Sequence, residues 1–198
     1  MTSFKTEKYI QVDNLLPDDM CKIAEQYFMF DAMNGFHSEK TDDRFPNTHG
    51  RYADKLSETL LLYLKPKIEE HTELKLIPTY SFFRIYKPGD ELEHHVDRDA
   101  CEITCSITIG FNYDGKIEIW PLNFEKPPPE PFMDRFLLKP GDAAIYRGCE
   151  IRHGRDEFYS DDKNHYHIQL LLHYVDEAGP HAETQKYDKR PAIGLPPK

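Results

Sequence analysis

The sequence predicts a mainly β fold, an antiparallel jelly roll or barrel with helices ahead of it. Two textures carry that expectation. In the first third of the chain apolar side chains recur at helical spacing, and from Leu74 onward they fall into short β-branched and aromatic runs punctuated by Pro, Gly, Asn and Asp. Length is the third observation. The 198 residues suit one domain, divided into a helical support (1–73), a β core (74–175) and an irregular C-terminal tail (176–198).

Taken in order, Tyr9 to Val12 reads as a short extended piece. Asn14-Leu15-Leu16-Pro17-Asp18-Asp19 then signals a helix start, because proline tolerates the first turn and the acids complement the helix dipole. Met20, Ile23, Ala24, Tyr27 and Phe28 give that helix its apolar stripe. The polar stretch from His37 to Gly50 reads as a loop. Leu56, Leu60, Tyr63, Leu64 and Ile68 mark a second amphipathic helix, strained by Pro66. Strands are expected at Thr79 to Tyr86, Glu91 to Val96, Glu102 to Phe111, Lys116 to Trp120, Asp134 to Leu138, Ala143 to Tyr146 and His165 to Val175. The proline-rich run Lys126 to Pro131 suits only an exposed connection.

Composition excludes several functional classes. With 35 acidic against 25 basic side chains the formal charge is −10, which opposes non-specific attraction to nucleic acid or to an anionic membrane. The mean hydropathy is −0.70, and no apolar run approaches the ~20 residues that a bilayer-spanning helix needs. The segment Met1 to Glu7 has no apolar stretch of the kind a secretory leader carries. Four cysteines are too few for a disulfide scaffold, so reduced thiols and a cytoplasmic location are expected.

The chemistry concentrates in His95-Val96-Asp97. Residues two apart on an extended segment project to the same side, so imidazole and carboxylate can reach one ion. Among ten histidines such a pair is weak alone, and its context strengthens it. It follows the turn Lys87-Pro88-Gly89-Asp90, and His153 follows a second turn of the same type, Lys139-Pro140-Gly141-Asp142. Two histidines and one carboxylate from distant strands can form a facial triad with open positions, suited to non-haem Fe(II) and O2.

The stretch from Tyr80 to Val175 resembles the 2-oxoglutarate and Fe(II)-dependent dioxygenases of the prolyl 4-hydroxylase-like branch. The matching residues are Tyr86, Pro88-Gly89-Asp90, His95-x-Asp97-Arg98, Gly141-Asp142, Tyr146-x-Gly148-Cys149-Glu150, His153-x-Arg155-Asp156 and Gln169 to Tyr174. The resemblance implies a cupin-like double-stranded β-helix with N-terminal helices packed on one sheet. It also implies iron ligation by His95, Asp97 and His153, with 2-oxoglutarate as cosubstrate and O2 as oxidant. Such enzymes hydroxylate a C–H bond while converting 2-oxoglutarate to succinate and carbon dioxide. The Asp97 carboxylate fits a hydroxylase better than a halogenase, which leaves that position open for a halide.

By the same resemblance, Tyr86 contacts 2-oxoglutarate, and a cation deeper in the barrel receives its far carboxylate. Arg155 is favoured for that role because it shares a strand face with His153, while Lys163 and His167 also occupy anchoring positions of the family. Arg98 is expected to orient Asp97 or to meet a substrate carboxylate, and His173 to be a hydrogen-bonded core residue. Cys101 and Cys105 read as strand thiols, since one Cys-x-x-x-Cys is a weak zinc signal. The paired glycines and glutamate of collagen-type enzymes are missing around Asp114 to Trp120, so the substrate, a peptide or a small molecule, stays open. Two other classes compete: a zinc-dependent hydrolase using the same His/Asp/His site, and a non-catalytic β-sandwich binding module.

Overall fold

The computed structural model describes residues 4–34, 48–114, 117–126 and 133–195. The proline run, most of the loop from His37 and Gly115-Lys116 lie outside those residues. The elements follow in chain order: α1 (Phe4–Glu7), β1 (Tyr9–Val12), α2 (Asp18–Asn34), β2 (His49–Tyr52), α3 (Lys55–Thr72), β3 (Leu76–Tyr86), β4 (Leu92–His95), β5 (Ile103–Phe111), β6 (Leu122–Glu125), β7 (Met133–Phe136), β8 (Ala143–Arg147), β9 (His153–Arg155), β10 (His167–Asp176) and α4 (Ala182–Gln185). Two antiparallel sheets form. A six-stranded sheet runs β1-β8-β5-β10-β3-β2, and a four-stranded sheet runs β4-β9-β6-β7.

The large sheet is buried on both faces, and its sequence reflects both. Along β5, Ile103, Cys105, Ile107 and Ile109 join the apolar core with Phe28 of α2 and Leu60, Leu61, Leu64 and Ile68 of α3. The alternate residues Thr104, Ser106 and Thr108 are equally buried but polar. On β10, Ile168, Leu170, Leu172 and Tyr174 join the same core, while His167, Gln169 and His173 take the other face. One face therefore holds the helices, each fully buried Leu or Ile contributing roughly 1.5–3 kcal/mol. The other lines the interior between the sheets.

Helix α3 begins where Asp54 accepts hydrogen bonds from the backbone N–H groups of Leu56 and Ser57, at 3.0 and 3.2 Å, and ends at Glu73 in a left-handed conformation (φ 58°). Pro66 lies inside it without terminating it. Tyr174 on β10 donates to the carbonyl of Leu61, 2.7 Å away, tying the helix to the sheet.

Two expectations are corrected. Ile117 to Trp120 is not a strand, and the strand of that region is β6. Aromatic Trp120 instead turns into the interior, where its ring packs on Phe158. The loop expected up to Gly50 gives way at His49 to β2, which pairs with β3 and places Gly50 against Phe82 and Phe83, too close for any Cβ. The irregular tail lies against the domain: Arg190 forms a buried two-point ion pair with Glu58 of α3, at 3.1 and 3.2 Å. Glu58 also accepts from Ser81 and Gly194, so all its acceptor capacity is used.

Candidate active site

The small sheet carries the site. His95 ends β4 and pairs in register with His153 at the start of β9, with ring centroids 4.7 Å apart. Asp97 follows in an irregular segment, and its backbone N–H donates to the carbonyl of Gly148 at 2.9 Å. Its Oδ1 lies 3.3 Å from His95 Nε2 and its Oδ2 3.8 Å from His153 Nε2. Their potential ligand atoms lie within 4.8 Å of one another. The structure thus brings together the three residues that the sequence singled out.

Both imidazoles are prepared in the same way. His95 Nδ1 lies 2.8 Å from the carbonyl of Glu93, and His153 Nδ1 lies 2.8 Å from that of Ile151. A carbonyl only accepts, so Nδ1 carries the proton in each ring and Nε2 presents a lone pair. Burial pushes the His153 imidazole below its ordinary pKa, which keeps it neutral. Burial opposes ionisation of Asp97, but the three histidines around it win, and its carboxyl sits below the usual range. Two neutral nitrogen donors and one carboxylate are a donor set that suits Fe(II).

Exposure is graded along the site. The His95 side chain is 34% exposed, Asp97 13% and His153 2%. Two residues beyond His153, on the same face of β9, Arg155 is fully buried. Its guanidinium donates to the carbonyl of Trp120 and stacks over that ring, 5.0 Å from the centroid. No Asp or Glu among the described residues pairs with it, the ionisable groups nearest it are the phenols of Tyr86, Tyr113 and Tyr146, and burial lowers its pKa to about 10. Tyr86 is buried opposite His167 in the β3–β10 register.

His167 is fully occupied by protein. The Tyr113 hydroxyl lies 2.7 Å from its Nδ1, and the Gln169 amide lies 2.6 Å from its Nε2. The network is satisfied when the Gln169 oxygen accepts from His167, Thr108 and Arg155 while its nitrogen donates to Ser106 and Ile107. Burial, then the Arg155 charge, push His167 well below its ordinary pKa. Lys163 is exposed on the surface, away from the interior.

Of the residues given lesser roles, Arg98 turns from Asp97 to a two-point ion pair with Asp188, at 2.7 and 2.9 Å. Asp188 lies in a left-handed run, Tyr187 to Lys189, and also accepts from Tyr52 at 2.6 Å. Cys101 sits in a 3₁₀ turn and not on a strand. Sequence reasoning missed Ser106, Thr108, Tyr113 and Gln169 as parts of the interior network. For Ser106, Thr108 and Gln169 the signal was the polar alternation in β5 and β10, strands with no exposed face to explain it, whereas Tyr113 lies past the end of β5 and has no such signal.

The buried neutral histidines predict a pH response. Burial pushes His173 down to about 4, and it also lowers His153 and His167. The unfolded chain takes up these protons near pH 6.5, whereas the folded chain refuses them until lower pH. Stability is therefore complete above about pH 6.5 and is lost as pH falls toward 4, with His173 contributing ~3 kcal/mol of the loss. Urea midpoints at about pH 7 and about pH 4.5 test this. Equal midpoints would contradict it.

No known family model and no curated protein sequence matches the chain. Solved structures do. A Pseudomonas putida prolyl-4-hydroxylase superposes with a TM-score of 0.66 at 13% identity, covering 87% of this chain and 95% of that one. The fold is that of the 2-oxoglutarate oxygenases. A prolyl hydroxylase from Trichoplax adhaerens, solved with a hypoxia inducible factor peptide fragment, gives 0.66 at 14% identity over 88% of this chain and 86% of its own. HygX from Streptomyces hygroscopicus, solved with nickel and 2-oxoglutarate, gives 0.65 at 10% identity over 88% and 85%. Within this oxygenase fold, among the described residues, no helix is long and apolar enough to cross a membrane.

Proposed function

We propose that the protein is a non-haem Fe(II) and 2-oxoglutarate-dependent dioxygenase that hydroxylates a C–H bond of a peptidyl residue or a small molecule. The observation that carries the reading is Arg155, a buried cation with no carboxylate partner among the described residues, two residues beyond His153 on the same strand face. An uncompensated charge in the interior is costly, and a dicarboxylate that also reaches the His/Asp/His cluster supplies the missing anion. His95, Asp97 and His153 would hold the iron, which, when bound, supplies oxygen activation coupled to decarboxylation of the cosubstrate.

The chain's own contribution is placement. Arg155 receives the far carboxylate of 2-oxoglutarate, and Tyr86, also buried, is placed to contact it. His167 supports that end as a neutral link between Tyr113 and Gln169. The Trp120, Phe158 and Tyr113 rings exclude water from it. Substrate enters from the His95 side, the exposed end of the cluster. A peptide or a small molecule suits this opening, as in the structural relatives solved with a peptide fragment or with hygromycin B.

The test is anaerobic addition of Fe(II) and 2-oxoglutarate, followed by a screen for succinate release with peptides, free amino acids and nucleotides. The wild type is expected to develop a weak visible charge-transfer band that His95→Ala and His153→Ala each abolish. A band that survives in both variants would remove the ligand assignment. Absence of succinate with every substrate class under air would remove the reaction.

A further inference from the structure

Behind the metal-ligand candidates lies a buried polar chain that the proposed reaction does not itself use. Thr104 Oγ1 lies 3.0 Å from Asp97 Oδ2, 3.0 Å from His173 Nδ1 and 3.2 Å from the carbonyl of Cys101. Thr104 and His173 are almost completely buried, so no water stands in for a missing partner from outside. A hydroxyl has one proton to give. Of its two obligate acceptors, the Asp97 carboxylate is charged and nearer, which makes the stronger bond. With the proton committed to Asp97, the Thr104 oxygen has only lone pairs to offer His173. His173 Nδ1 must then be the donor.

From this geometry we infer that Thr104 and His173 are positioning residues, a directed chain from His173 Nδ1–H to Thr104 Oγ1–H to Asp97 Oδ2 that holds the carboxylate to one-oxygen ligation. The inference rests on the metal reading above. With Oδ2 engaged by Thr104, Oδ1 is the oxygen turned to His95. A carboxylate so held would offer an ion one oxygen and not two, and the remaining positions would be left for cosubstrate and O2.

His173 is itself held in place. Its ring packs on Tyr80 at 4.4 Å, Tyr80 is covered by the Arg98 guanidinium at 4.7 Å, and Arg98 is fixed by Asp188. The chain of contacts begins one residue after Asp97 in sequence and returns to the Asp97 carboxylate through space.

Co(II) serves as the probe, because its visible spectrum reports coordination and its binding needs no turnover. Thr104→Val keeps the shape and removes the hydroxyl. It is expected to weaken Co(II) binding about 10-fold, the usual scale for the loss of an outer-shell partner, and to alter the visible band. Thr104→Ser should restore both. His173→Leu should behave as Thr104→Val, and His173→Asn, whose amide nitrogen donates from near the Nδ1 position, should keep wild-type values. Urea midpoints accompany each variant, and the Thr104 pair decides if His173→Leu does not fold. Thr104→Val with wild-type affinity and spectrum overturns the inference and leaves the metal reading standing. A wild-type protein that takes up no Co(II) overturns both.

Discussion

Replacing Arg155 by methionine is expected to abolish 2-oxoglutarate binding without lowering the stability of the ligand-free protein. The two effects share one cause. The guanidinium is fully buried, has no carboxylate partner among the described residues, and makes its hydrogen bonds to a neutral carbonyl and a neutral amide. Desolvation of the charge is therefore not repaid in the empty protein, and an apolar side chain of similar length removes that cost. Once 2-oxoglutarate is present the same charge is matched by a carboxylate. Truncating one side of such a buried pair costs 2–5 kcal/mol, so affinity should fall by about a thousand-fold. Calorimetric titration of 2-oxoglutarate into the Mn(II)-loaded protein measures it, with Lys163→Met as a control expected to bind normally because that side chain is on the surface. Unchanged affinity in Arg155→Met would move the anchor elsewhere and take the main support from the proposed function.

That prediction depends on burial, which sequence spacing alone does not give. His95-x-Asp97 and His153 were legible because ligand chemistry demands few residue types and the Pro-Gly-Asp turns before each histidine stand out in the sequence. Spacing favours Arg155 over Lys163 and His167 through the strand face it shares with His153, but spacing carries no information on depth. Depth and charge support the anchor in the function proposed above: Lys163 is in solvent, His167 is neutral with both ring nitrogens engaged, and Arg155 is buried and cationic.

The long elements were legible for a different reason. Strands β3, β5 and β10 run 9 to 11 residues, long enough for a period of two to register, and α3 shows its apolar stripe over 18 residues. Strand β9 has three residues and one is glycine, so it has no pattern of its own and exists through its neighbours β4 and β6. Ile117 to Trp120 has the β-branched and aromatic content of a strand, but tertiary packing outweighs propensity there. Trp120 spends its ring on Phe158 and Arg155 and its indole N–H on the carbonyl of Asp156, 2.7 Å away. The tail is tied to the body by long-range pairs that leave no local signature, Arg190 with Glu58 and Asp188 with Arg98 and Tyr52.

Gly148→Ala is expected to disable the metal site as severely as loss of a ligand, although residue 148 carries no donor group. A Cβ at this position would fall well inside contact distance of Asp97 Oδ2 and of the Cys101 carbonyl oxygen. The first of these could rotate away, but only by withdrawing the carboxylate from His95 and His153. The second is backbone, in the 3₁₀ turn that precedes β5, and it cannot move without shifting Thr104 as well. Gly148 also accepts from the Asp97 N–H and donates to Glu102, so displacement of residue 148 carries Asp97 with it. Overpacking of this kind costs about 1–3 kcal/mol of stability. Loss of one of three ligands should lower Co(II) affinity by at least ~100-fold, beyond the range typical of outer-shell changes. Gly110→Ala is the comparison: the atoms nearest its Cβ belong to the Glu25 side chain, which can swing aside, so metal binding should persist. Equal Co(II) affinities in the two variants would mean that the close approach of Asp97 to residue 148 is not needed for ligation, and the carboxylate would then have to reach the ion from a different rotamer.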